Sequence, residues 1–293
     1  MSHILNTIQS SINIYLDSEN VYSHDDLTGS YKFIFKEPVE ALPNHQMLLE
    51  IKSSIFSMSM YSINALNNTL IVDGISYLIP VGNYDAASLI VFLDATIPGI
   101  VTTFNSTNMK FSFTKTSGSG SQITFNSCTA LQILGFSSKD HQTSNYTLES
   151  EDVVDLSGIK QIVVKVPNLN LGSRDSKGQS VGILAKIPCF VNPGEIIYWS
   201  ADTSVKHQIK TRLLDHLTID IRDEFNNNID FNGTPWYMEL IIHFIEERDY
   251  RQKVTHYDDI KTDLDEHHRQ IHQIHQIHQH AKNHKKHNTN KIS

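Results

Sequence analysis

The chain has 293 residues, a formal net charge of −8 and a hydrophobic content of 39%. This length suits one large domain or two medium ones, and the acidic balance argues against a general nucleic-acid binder with a broadly basic surface. Two cysteines, Cys128 and Cys189, are too few for a disulfide framework and are expected to be buried free thiols. We see neither a signal peptide nor an apolar run of the roughly 20 residues that span a bilayer.

The first residues, 1–27, are mixed and polar, and we interpret them as an N-terminal arm. Residues 28–140 then predict a β-rich module. It starts with the strand Ser30–Lys36, in which aromatic residues alternate with polar ones. A second strand follows from Gln46 to Ile51, and residues 53–61 are expected to continue it after a kink. A hairpin is predicted around Asp73-Gly74.

One helix is predicted in this half, over residues 85–95. Asn83 or Asp85 can cap it, and apolar residues recur at helical spacing after the cap. Residues 141–155 are polar and acidic with no apolar period, so they predict a linker.

Residues 156–246 contain a series of short apolar segments with strand periodicity and almost no helical periodicity. This pattern predicts six or seven strands of a jelly-roll-like sandwich. The predicted fold class is therefore all-β: a jelly-roll-like antiparallel sandwich, an additional β-rich module with a short helix, and a polar C-terminal tail.

The tail, residues 247–293, is rich in histidine and is predicted to be disordered or partly helical. A helix would bring His268, His272 and His275 to one face, which makes them the candidate metal ligands. However, the Ile-His-Gln unit repeats every three residues, as in low-complexity expansions, so no metal or cofactor is assigned. An apolar stripe of Ile271, Ile274 and Ile277 that self-associates is the other alternative.

Sequence motifs of catalysis are not found. The Ser-Gly tract at 117–121 is too poor in glycine for a phosphate-binding loop and lacks the Lys-Ser/Thr that follows one. No Gly-x-Ser-x-Gly sequence marks a nucleophile. We therefore do not expect an enzyme.

Several short motifs give the chain a family resemblance. Gly82-Asn83-Tyr84-Asp85 leads into the predicted helix, Leu134-Gly135-Phe136 closes the module, and Asp230-Phe231-Asn232-Gly233 precedes Trp236-Tyr237. In this arrangement the chain, over about residues 30–246, resembles minor capsid (penton-type) proteins of double-stranded DNA viruses with jelly-roll capsids, including Polinton-type elements and virophages.

The resemblance implies a structural virion protein without catalytic residues. It implies a ring, expected to be a homopentamer, at a capsid vertex in contact with the major capsid protein. Tyr198, Trp236 and Tyr237 are the candidate interface anchors if they are exposed. The His-rich tail is a candidate contact for the genome or an internal protein.

Three alternatives remain open at this stage. The first is a spike, fibre or cement protein of the virion. The second is a receptor- or glycan-binding β-sandwich, and the third is a metal-dependent enzyme that uses the histidine tail.

Overall fold

A computed structural model describes residues 8–25, 28–116, 122–143, 146–169, 171, 173, 182–201 and 205–246. Residues 7–245 form one compact unit. The first half of the chain contains β1 (Ile8–Asp17), β2 (Ser23–Asp25), β3 (Ser30–Glu40), β4 (His45–Ser57), β5 (Thr69–Val72), β6 (Ile75–Leu78), α1 (Ala86–Thr96), β7 (Ile100–Asn105), β8 (Lys110–Lys115) and β9 (Ile123–Asn126). The second half contains β10 (His141–Thr143), β11 (Thr147–Glu149), β12 (Gln161–Lys165), β13 (Ile183–Pro188), β14 (Ile196–Ser200), β15 (His207–Ile209), β16 (Leu213–Arg222) and β17 (Tyr237–Glu246).

Two antiparallel sheets form the jelly roll. The first sheet has the strand order β1-β17-β4-β14, and β15 also pairs with β4, on the same side as β14. The second sheet has the order β13-β12-β16-β3-β2. Their inward side chains make one core, in which Trp236 packs against Phe33 and Phe56 with ring centroids 6.1 and 6.3 Å apart. The predicted all-β class with a jelly-roll sandwich is therefore confirmed.

A module is inserted between β4 and β12. It consists of two small sheets, β10-β9-β5-β6 and β11-β8-β7, with α1 packed on β7. The module has its own core, in which Phe113 contacts Phe125 and Phe136 at centroid distances of 4.8 and 6.0 Å. The two groups of buried residues are thus separate cores within one chain.

The strand pairing corrects the predicted domain organisation. Strands β1, β3 and β4 were assigned to an arm and a module, yet β1 pairs with β17, β3 with β16, and β4 with β14. The predicted linker 141–155 holds β10 and β11, which complete the module sheets. The jelly roll therefore extends from residue 8 to residue 246, and the insertion separates its first strands from its last.

The helix and the hairpin predicted in the first half are confirmed. Helix α1 starts after Asp85, whose carboxylate accepts a hydrogen bond from Ser88 N–H at 2.7 Å in a capping box. Asp73 and Gly74 both have positive φ, 47° and 80°, and join β5 to β6 in a two-residue turn.

The module and the paired residues Ile8 and Ile245 lie at opposite ends of the sandwich. At the module end, Met58 N–H donates to the Glu195 carbonyl at 2.8 Å, and Ser59 Oγ donates to the Phe231 carbonyl at 2.6 Å. At the other end, Ile8 pairs with Ile245. The outer surfaces of the two sheets therefore form the sides of the sandwich.

Candidate interaction surfaces

The outer surface of the first sheet carries an exposed aromatic and aliphatic patch. Tyr198 lies directly opposite Ile55 across β14 and β4, and Tyr15 lies directly opposite Glu239 across β1 and β17. Tyr15 is 73% exposed and Tyr198 is 67% exposed. We call this patch the tyrosine face; its members are Tyr15, Ile55, Ile196, Tyr198 and Tyr237.

An ion pair lies at the centre of the tyrosine face. The Lys52 ammonium contacts the Glu239 carboxylate at 2.9 Å, and Ser53 Oγ donates to the same carboxylate at 3.4 Å. Along β4, the alternation of inward and outward side chains shifts by one residue between Ile51 and Ser54. Lys52 and Ser53 therefore both face outward, and both contact the single residue Glu239. This irregularity is the kink that the sequence predicts.

The hydrogen bond from Lys52 lowers the pKa of Glu239 below its usual range, and the side chain of Tyr15 adds to the effect. The same contact with Glu239 raises the pKa of Lys52. Tyr15 and Tyr198 also lie within electrostatic reach of the Lys52 ammonium. The ion pair therefore holds the side chains of Lys52 and Glu239 in place among the exposed tyrosine rings.

This pair gives a pH-dependent expectation. Because folding depresses the pKa of Glu239, its contribution to stability is present above the pKa of an unfolded glutamate and is lost as the pH falls through the folded value. We expect wild type to be more stable than Glu239→Gln at neutral pH, and the difference to shrink as the pH falls through the lowered pKa of Glu239. Urea unfolding at several pH values measures it. A difference in the free energy of unfolding that stays constant across these pH values would contradict the expectation. The control is Glu19→Gln on the exposed β1–β2 connection, which should not show this pH dependence.

A polar cluster of buried His243 and Glu50 with the exposed Ser11 lies farther along the same sheet. His243 on β17 joins Ser11 Oγ through Nδ1 at 2.9 Å, and its Nε2 contacts Glu50 Oε2 at 2.7 Å. Sequence reasoning missed this Ser-His-Glu arrangement because its members come from β1, β17 and β4. Ser11 lies within the regular ladder between β1 and β17 and not in a sharp turn that presents a nucleophile. We therefore interpret the cluster as hydrogen bonding that satisfies the buried polar groups of His243 and Glu50.

The outer surface of the second sheet has a different chemistry. Val163 on β12 lies opposite Lys186 of the neighbouring strand β13 and opposite Arg222 of the other neighbour, β16. Lys165 on β12 lies opposite Asp220 on β16. Lys32 belongs to the same surface, opposite Thr218. We call this surface the lysine face; its members are Lys32, Lys165, Lys186 and Arg222.

Contacts within the chain neutralise the positive charges of the lysine face only in part. Arg222 contacts Asp220 at 3.4 Å and hydrogen bonds to Asn228, and Lys165 hydrogen bonds to Asn226. Burial lowers the pKa of Lys165, and the neighbouring Arg222 and Lys186 lower it further, although Asp220 opposes them. The cations therefore repel one another across the sheet.

A cleft of about 500 Å³ lies where the module meets the jelly roll. Aromatic and aliphatic side chains at its walls include Tyr61, Leu66 and the strongly exposed Phe225, and its polar lining includes Asn64, Asn67, Gln132 and Asp155. Asp155 is paired with Lys160. Cys128 also lines the cleft.

The structure places the predicted interface anchors on opposite sides of the sheet. Tyr198 and Tyr237 lie on the tyrosine face, whereas Trp236 is 0% exposed and belongs to the core, which excludes it as an anchor. Sequence reasoning missed Tyr15, which was assigned to an arm. The alternation of Ile12, Ile14 and Leu16 with Asn13 and Tyr15 was the available signal for a strand.

Other predicted sites have mixed outcomes. His268, His272, His275 and the Ser-Gly tract 117–121 lie outside the described residues. Within the described ranges, no group of three or more His, Cys, Asp or Glu residues could hold a metal ion.

Cys128 and Cys189 are free but half-buried rather than fully buried, and burial raises the pKa of the Cys189 thiol to about 11. In the part of the chain that the structure describes, no helix is long and apolar enough to cross a bilayer.

Comparisons with known proteins give structural likenesses only. No protein-family model and no curated protein matches the chain. Among solved structures, the chain is similar to the crystal structure of a selenomethionine-labelled mavirus penton protein, with a TM-score of 0.43 and 13% sequence identity. The similarity covers 80% of this chain and 99% of the mavirus chain.

Proposed function

We propose that this protein is a structural virion protein, a minor capsid component that assembles as a homopentameric ring at capsid vertices and contacts the major capsid protein. Its role is architectural and not catalytic. The observation that supports this most directly is a jelly-roll sandwich with an exposed aromatic patch on the outer surface of one sheet. Jelly rolls are recurrent building blocks of viral capsids, and exposed apolar patches of this kind mark protein–protein contacts.

The family motifs support the proposal through their roles in the fold. Phe231 stacks on Phe56 with centroids 5.7 Å apart beneath the connection to β17, and Phe136 closes the module core against Phe125. Gly135 has a φ of 81° at the turn before Phe136. The motifs on which the resemblance rests therefore maintain the two cores and leave the surfaces available for assembly.

The mass of the full-length protein in solution tests the proposal. We expect a species of five copies by mass photometry and a closed five-fold ring in negative-stain images. A species of three copies would favour a spike or fibre protein instead. A monomer at all accessible concentrations would contradict the ring. Co-assembly with the major capsid protein of the same virus, with label confined to the vertices, tests the location.

The cleft favours a second candidate, a glycan-binding role. Amide and carboxylate side chains beside an exposed aromatic ring can hydrogen bond to sugar hydroxyls while the ring packs on the sugar. We expect any glycan found on an array to lose binding in Phe225→Ala and to keep it in Tyr198→Ala. Equal binding by both variants would exclude the cleft as the site.

A further inference from the structure

We propose that the tyrosine face of one copy lies against the lysine face of the next copy, so that the ring is closed by head-to-tail contacts. This inference rests on the proposed function, because it names the partner of the tyrosine face within the ring. The occupant of each face is thus a second copy of the same chain.

The first argument is the chemical contrast between the two faces. The tyrosine face presents aromatic rings around the Lys52–Glu239 ion pair, whose two charges offset each other. The lysine face presents Lys32, Lys165 and Lys186 beside the largely buried pair of Arg222 and Asp220. Lysine and arginine cations bind the electron-rich faces of aromatic rings, and this attraction increases when water is excluded. A tyrosine hydroxyl can also accept a hydrogen bond from an ammonium group.

The second argument is the distribution of charge. Residues 1–246 contain 25 acidic and 15 basic residues, so the lysine face is a basic region on an acidic body. The repulsion of Lys165 by the neighbouring Arg222 and Lys186 is offset when electron-rich aromatic rings approach these cations. The tyrosine face of a neighbouring copy supplies such groups.

The third argument is the position of the faces. They are the outer surfaces of the two packed sheets and therefore lie on opposite sides of the sandwich. A contact between opposite sides is heterologous, and such contacts form rings when the rotation between copies closes. The inserted module lies at one end of the sandwich and the paired residues Ile8 and Ile245 lie at the other. The side-to-side contact thus leaves both ends available for other partners.

Two double variants test the proposal, each of which damages one face. The first is Tyr15→Ala with Tyr198→Ala, and the second is Lys32→Glu with Lys186→Glu. Each variant alone should lose the ring, with the dissociation constant of the contact raised about 30-fold or more. An equal mixture should form heterodimers and nothing larger, because only one intact pair of faces remains. Native mass spectrometry distinguishes these species, since the two variants differ in mass.

Matched control variants lie on the inserted module. Tyr146→Ala removes another exposed tyrosine, and Lys139→Glu reverses another exposed lysine. Both should keep the wild-type oligomer, and thermal unfolding of all four variants should show intact folds.

Three results separate the possible failures. A lysine-face variant that retains the ring would overturn the proposal, because the tyrosine face would then have another partner. A mixture that stays monomeric would also overturn it. A wild-type protein that is itself monomeric would refute the proposed ring function and not merely this pairing of faces.

Discussion

Trp236→Ala is expected to lower the free energy of unfolding by about 3–5 kcal/mol. The indole is fully buried between the two sheets, where it makes edge-on contacts with Tyr31 and Phe33 and lies near Phe56. Its removal leaves a cavity that neighbouring rings fill only in part. Within the described residues its Nε1–H has no hydrogen-bond partner, so its contribution comes from packing. Urea or thermal unfolding measures the effect.

The next residue provides the control for this prediction. Tyr237 is on the outer side of the same sheet and is 41% exposed. We expect Tyr237→Ala to change the free energy of unfolding of the isolated chain by less than about 1 kcal/mol. Equal losses from Trp236→Ala and Tyr237→Ala would contradict the assignment of one residue to the core and the other to the surface.

Gly135→Ala is expected to destabilise the inserted module by about 3 kcal/mol or more, because two costs add. Gly135 has a φ of 81°, a conformation that side chains other than glycine rarely adopt. A Cβ atom there would also overlap the Asp152 carbonyl oxygen and lie 3.1 Å from Ser150 Cβ. Backbone atoms cannot move aside cheaply, since Asp152 N–H donates to the Gly135 carbonyl at 2.8 Å. Hydrogen exchange should show the loss of protection concentrated in the module.

Gly74→Ala separates the two costs. Gly74 has a nearly identical φ of 80°, but no atom lies within 4 Å of the position of an added Cβ. We expect a loss of only about 1 kcal/mol, which is the cost of the left-handed conformation alone. If Gly74→Ala and Gly135→Ala were equally destabilising, the overlap with Asp152 would not matter.

Local features of the fold were accessible from the sequence because they depend on neighbouring residues. The capping of α1 by Asp85 and the Asp73-Gly74 turn follow from side chains and φ preferences within four residues. The alternation in Ser30–Lys36 likewise predicts β3 without knowledge of its partner. The same locality explains the wrong domain boundary, because no local pattern shows that β3 pairs with β16 about 180 residues later.

The sequence by itself determined that this protein is all-β, with a short capped helix, tight turns and two free cysteines, because hydrophobic periodicity and turn chemistry act over a few residues. Only the tertiary structure decided which strands belong to the jelly roll and which side chains share a surface. It assigned Trp236 to the core and Tyr237 to the exterior, and it brought Tyr15 beside Glu239 and Lys52. The physical reason is that sheet pairing joins residues that are distant along the chain, and the register of that pairing determines which face each side chain occupies.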